Sequence, residues 1–138
     1  MNRDEIQTIL PHRDDMLLLD EVFRDGDEAC GRYRVRGDEF FLRGHFPGNP
    51  IVPGVIQCEI LAQSVCVLLA DSLGEGKTPM YTGMDRVRFR KPVRPGDLIE
   101  TRCRIVRSKP PFYFAEGTIS VNKQKCTTAE FSFAVVGD

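Results

Sequence analysis

Residues 44–74 read GHFPGNPIVPGVIQCEILAQSVCVLLADSLG, and this stretch decides the fold. From Val55 to Leu73 the side chains are apolar on nearly every side of a helical wheel, with Gln57, Glu59, Gln63, Ser64, Asp71 and Ser72 as the polar exceptions. At about 1.5 Å per residue this predicts a helix roughly 30 Å long. A helix that is apolar all round belongs in a core. With Glu59 and Gln63 inside it and loop-like flanks, it does not read as a membrane span.

Glu59 therefore falls within a helix that must be buried. An unpaired buried carboxylate costs several kcal/mol, so the group finds a partner or keeps its proton. It also lies beyond the first turn, where the helix dipole would favour its charge. Two readings follow: a proton donor held neutral, or a structural Glu bonded to Gln63 one turn on. His45 favours the first. It sits between Gly44 and Phe46, ahead of prolines at 47, 50 and 53 that stiffen the approach to the helix. Imidazole, with an ordinary pKa near 6.5, is suited to act as a general base at neutral pH. Pro53 suits the first helical position, and Gly54 leaves backbone N–H groups open to an oxygen that gains negative charge.

The run GHFPGNPIVPGVIQCEILAQ resembles the signature of the β-hydroxyacyl-acyl-carrier-protein dehydratases. LPHRDDMLLLDEV near the N-terminus and VRFRKPVRPGDLI in the second half are similar to the same family, in the same order. The resemblance covers most of the chain. It implies a hot-dog fold and a hydro-lyase of fatty acid biosynthesis, in which water leaves a 3-hydroxyacyl thioester to give the trans-2-enoyl thioester. His45 would take the C2 proton, Glu59 would protonate the C3 hydroxyl, and the Gly54 N–H would hold the thioester carbonyl. Phe46, Pro53 and Gln63 are expected as further substrate contacts. A Glu at position 59 resembles the branch without isomerase activity. The chain departs from the family at Asp15-Met16 and at Met80-Tyr81, which bear on the acyl channel and leave the proposed chemistry untouched.

The rest of the chain fits one domain, 1–138. Its 41% apolar and 28% charged residues suit a globular protein, and a net charge of −1 argues against nucleic acid. The N-terminus lacks an apolar run of signal-peptide length, so a cytoplasmic location is expected. Five cysteines without a Cys-x-x-Cys pair suggest reduced thiols, and the two distant histidines suggest no metal site. No cofactor is called for. Residues 3–9 read as a short helix stopped by Pro11, and His12 as a turn or cap residue. Met16–Arg24 and Cys30–Arg36 read as strands joined at Asp25-Gly26, and Phe40, Phe41 and Leu42 as core packing. Four strands are expected near 80–91, 97–107, 112–122 and 126–136, separated by Pro92, Pro95-Gly96, Pro110-Pro111 and Asn122.

Charge is uneven: residues 85–109 hold nine basic and three acidic side chains. Arg86, Arg88 and Arg90 alternate as if on one sheet face, as do Arg102 and Arg104. Such stripes are commonly solvated faces. The resemblance adds a docking role, in which Arg88, Arg90, Lys91 and Arg94 meet an acidic acyl carrier protein and the phosphate of its 4'-phosphopantetheine arm. In sum, the expected class is α+β, an antiparallel sheet wrapped around a long apolar helix. One sheet covers one side of that helix, which calls for a homodimer; the family often forms trimers of dimers. The alternatives are an enoyl-CoA hydratase or acyl-CoA thioesterase of the same fold, and a non-catalytic acyl-binding module.

Overall fold

Alternation of side chains along the second half of the sequence produces the sheet. In a computed structural model describing residues 1–43, 48–70 and 76–137, the strands are β1 (Glu21–Asp25), β2 (Glu28–Arg34), β3 (Lys77–Phe89), β4 (Leu98–Lys109), β5 (Phe112–Val121) and β6 (Gln124–Gly137). They form one antiparallel sheet in the order β1-β2-β4-β5-β6-β3. On β4, Ile99, Thr101 and Cys103 point into the core while Arg102 and Arg104 stand outside. Tyr113, Ala115 and Ile119 do the same on β5. Asn122 and Lys123 both adopt positive φ, +51° and +64°, and so close the β5–β6 hairpin with the left-handed pair that strand twist favours.

Helix α2 (Gly54–Val65) lies against β2, β4 and β5. It is shorter than the expected Val55–Leu73, tightening into a 3-10 turn at Cys66–Leu69; the expected end at Leu73 lies outside the described residues. Ser64 Oγ donates to the Ile60 carbonyl and Cys66 Sγ to that of Ala62, four residues back in each case. Side-chain bonds of this kind bend and loosen a helix. Nor is the helix enclosed on every side. Ile60, Leu61 and Val65 are fully buried, whereas Val55 is 70% exposed and Ile56, Glu59 and Ala62 are half-buried along the same flank.

Where helix meets sheet, the Gly31 N–H donates to Thr101 Oγ1, which bonds Ser64 Oγ. A Cβ at Gly31 would lie 2.7 Å from both hydroxyl oxygens, so only glycine fits beneath the helix here.

The expected strand from Met16 begins only at Glu21. Before it come α1 (Arg3–Ile6), a 3-10 turn at Asp14–Met16, and an extended run, Leu17–Leu19, that is almost wholly buried. That run needs no ladder because side chains satisfy its backbone. Arg3 Nη1 donates to the Leu17 and Leu19 carbonyls, and Gln63 bonds Leu18 N–H and the Met16 carbonyl. The three leucines plug one end of the core, each worth about 1.5–3 kcal/mol of burial. The arginine stripe on β3 is also interrupted. A bulge between Asp85 and Arg88, with Arg86 at φ +49°, breaks the simple alternation expected of Arg86, Arg88 and Arg90.

Candidate active site

Glu59 is carried on the half-open flank of α2, its side chain 22% exposed. One of its oxygens, Oε2, is approached by two nitrogens. Gln63 Nε2 donates to it at 2.9 Å, and His12 Nε2 lies 3.0 Å away. Oε1 accepts from no described residue. Of the two expected readings of the carboxyl, the structure shows the contact of the second: Gln63 is its partner one turn on. Glu59 lines a cavity of about 50 Å³ with His12, Ala62, Cys66, Tyr81 and Phe133. That volume accepts a water-sized group and is too small for an acyl chain. Burial and then the nearby Glu59 push the Cys66 thiol up to about 12, so it stays protonated and is no nucleophile. The Tyr81 hydroxyl is likewise raised by burial and donates to the Cys58 carbonyl.

Gln63 was expected to touch substrate. Instead it is 2% exposed, with both amide protons and its carbonyl oxygen committed to Met16, Glu59 and Leu18. Its geometry is that of a brace between the N-terminal segment and the carboxyl. Pro53 is the N-cap and not the first helical residue: its ψ of 143° keeps it outside the helix, and its carbonyl accepts from Ile56 and Gln57. Gly54 is the first helical residue, and its N–H donates to no described residue. A Cβ there would sit 2.5 Å from Phe89 Cζ, so glycine lets that ring lie flat over the helix end. Gln57 braces the same end by donating to the Val52 carbonyl and accepting from Thr127 Oγ1. His45 and Phe46 lie outside the described residues.

A cleft of about 350 Å³ opens at this helix end between Ile51, Gly54, Phe89, Arg90 and Lys91. Arg88, Arg90, Lys91 and Arg94 are all exposed, and none pairs with a carboxylate among the described residues. Lys91 bonds Gln124 and Arg94 bonds Asn49, both neutral amides. Arg102 and Arg104 differ: each is neutralised, by Glu28 and Asp25 and by Glu116 respectively. Sequence reasoning missed two residues here. His12 belonged to a motif that had been noticed, but no spacing rule places it beside Glu59. Phe89 looked like an ordinary strand residue, whereas Tyr81 had been singled out only as a departure from the family near the acyl channel.

Comparisons with known proteins identify the family and the fold. The FabA-like domain family matches residues 10–130. A 3-hydroxyacyl-(acyl-carrier-protein) dehydratase FabZ of Clostridium beijerinckii is 39% identical, over 98% of this chain and 99% of its own. A protein of the same name from Oleidesulfovibrio alaskensis is 42% identical, over 96% of this chain and 89% of its own. Among solved structures, the dehydratase heterocomplex ApeI:P of Xenorhabdus doucetiae matches with a TM-score of 0.83 at 20% identity, over 96% of this chain and 91% of that one. A putative thioesterase of Ralstonia eutropha matches at 0.64 and 18%, over 83% of each chain. These two share the fold.

Proposed function

The chain belongs to the FabA-like 3-hydroxyacyl-acyl-carrier-protein dehydratase family, and on that premise we propose that Glu59 and His45 together remove water from a 3-hydroxyacyl thioester. The observation that carries the reading is Glu59 itself, half-buried and lining a water-sized cavity, with Oε2 braced by Gln63 and Oε1 accepting from no described residue. His45 takes the C2 proton, and that electron pair becomes the C2–C3 double bond. As the C3–O bond breaks, the hydroxyl takes the proton of Glu59 and leaves as water. The thioester carbonyl gains negative charge on the way, and the Gly54 N–H at the α2 terminus is placed to receive it. Return of the proton from His45 to Glu59 restores both groups.

The carbon chain needs more room than the cavity in one protomer, so a channel formed with a second protomer is part of the proposal. The carrier protein docks by Arg88, Arg90, Lys91 and Arg94, whose charges are uncompensated beside the cleft at the helix end. No helix among the described residues is long and apolar enough to cross a membrane.

The test is the reverse reaction: hydration of a crotonyl thioester, followed by loss of its enone absorbance, with carrier-protein and coenzyme A forms in parallel. Faster turnover of the carrier-protein form is expected. A clear preference for coenzyme A would instead favour a hydratase or thioesterase, and no turnover with either would favour a binding module.

A further inference from the structure

The N-terminal motif LPHRDD has no part in the reaction as proposed, yet the fold carries it to the acid. We infer that His12 is a positioning residue for Glu59, holding its Oε2 jointly with Gln63 so that Oε1 is the oxygen that carries and delivers the proton. The inference rests on the reading of Glu59 as the acid.

Three observations converge. First, His12 Nε2 and Gln63 Nε2 approach the same carboxyl oxygen, at 3.0 and 2.9 Å. The inferred arrangement includes a proton on His12 Nε2; that oxygen then faces two N–H groups, and a hydroxyl there would have to point at a donor. The proton of the neutral acid is therefore directed to Oε1. Second, His12 is built in and not draped over the surface. Its side chain is 22% exposed, and its Nδ1 is buried with no partner among the described residues. An orphaned buried nitrogen is destabilising, so the fold tolerates a penalty to keep the ring there.

Third, the segment bearing His12 is tied down at several points. Arg13 Nη1 donates to the Leu10 and His12 carbonyls and its Nη2 to that of Gln7, while Arg3 Nη2 reaches the Asp14 carbonyl. Gln63 binds the Met16 and Leu18 backbone as well as Glu59. One side chain thus fixes both the loop that presents the imidazole and the carboxyl that receives it. A displacement of the acid by about 1 Å can slow chemistry by about a hundredfold, so such bracing bears on rate and not on affinity.

The experiment compares His12→Leu, which removes the nitrogen and keeps bulk, with His12→Gln, whose amide nitrogen can stand where Nε2 stood. For crotonyl carrier-protein hydration, His12→Leu is expected to lower kcat by about 10–100-fold with KM changed by less than about threefold. His12→Gln should recover most of that loss. A His12→Leu enzyme within about twofold of wild-type kcat overturns the inference. So does an equal loss in both variants accompanied by a raised KM.

A second readout needs no turnover. In labelled protein, the His12 imidazole nitrogen resonances should move on Glu59→Gln and stay put on substitution of a distant carboxylate such as Glu116. Unmoved resonances overturn the pairing. An unsubstituted enzyme that hydrates neither thioester, while these resonances still track Glu59, would instead count against the dehydratase reading alone.

Discussion

In the proposed reaction Glu59 is the acid, and its two oxygens are not equivalent. Because Oε2 is braced and Oε1 is not, replacing the carboxyl by an amide keeps the contacts and removes the transferable proton. Glu59→Gln is expected to lower kcat by at least about a hundredfold, the usual share of general acid catalysis, with an unchanged melting temperature. Activity near wild type would show that the proton comes from elsewhere. At Gly54 the argument is steric. A methyl group there meets the Phe89 ring at 2.5 Å, and since Phe89 is 54% exposed the ring can swing aside. Gly54→Ala should therefore fold with near-normal stability while losing activity, because the new methyl group crowds the N–H proposed to receive the thioester oxygen. A structure of the variant, read with its kcat, checks both halves. Glu59 was visible in the sequence because a carboxyl inside an apolar helix is anomalous. Phe89 was not, since an aromatic on a strand is ordinary until its neighbour is known to be glycine.

Elements here are joined by side chains that satisfy backbone, which explains where the sequence was hard to read. The four long strands near 80–136 were legible because alternation carries through much of β4, β5 and β6, while β3, where the bulge breaks it, was marked off by Pro92. Their observed bounds differ from the expected ones only at the ends. Leu17–Leu19 looked like strand because it is apolar and extended. What holds it is Arg3 and Gln63, from remote positions that no local pattern reveals. Gln63→Leu should thus leave the buried Leu18 N–H and the part-buried Met16 carbonyl without this partner. A loss of about 1–3 kcal/mol is expected in denaturant unfolding. The turn after β2 is pinned by Glu39. Burial raises its carboxyl, but the Arg36 N–H, the Tyr33 hydroxyl and the Gly37 N–H outweigh this and hold it below the ordinary range. A carboxyl depressed on folding adds stability above its unfolded pKa of about 4.3, and that stability fades as pH falls through the folded value. Glu39→Gln should then melt below wild type at pH about 7, with the gap narrowing toward pH about 3.

At the scale of the molecule, one protomer leaves two surfaces unfinished. Strand β3 is a long sheet edge, bonded among the described residues to β6 alone, with Met80, Met84 and Phe89 about half exposed along it. The outer flank of α2 is open from Val55 past Glu59. Unpaired edges of this length invite a second strand, and apolar flanks invite burial. A two-fold copy meeting edge to edge would serve both and, in the proposed reaction, would pair His45 of one protomer with Glu59 of its neighbour. If each site takes its base from one protomer and its acid from the other, two inactive chains can repair one another. In a heterodimer of His45→Ala with Glu59→Gln, one of the two sites regains an intact pair, while the other has lost both groups. Unfolding and refolding an equal mixture yields about half heterodimers, so roughly a quarter of wild-type activity should return. Each variant refolded alone should stay inactive. If base and acid belong to the same protomer, no mixture regains activity however well the chains associate. Light scattering on the same samples separates that result from a failure to dimerise.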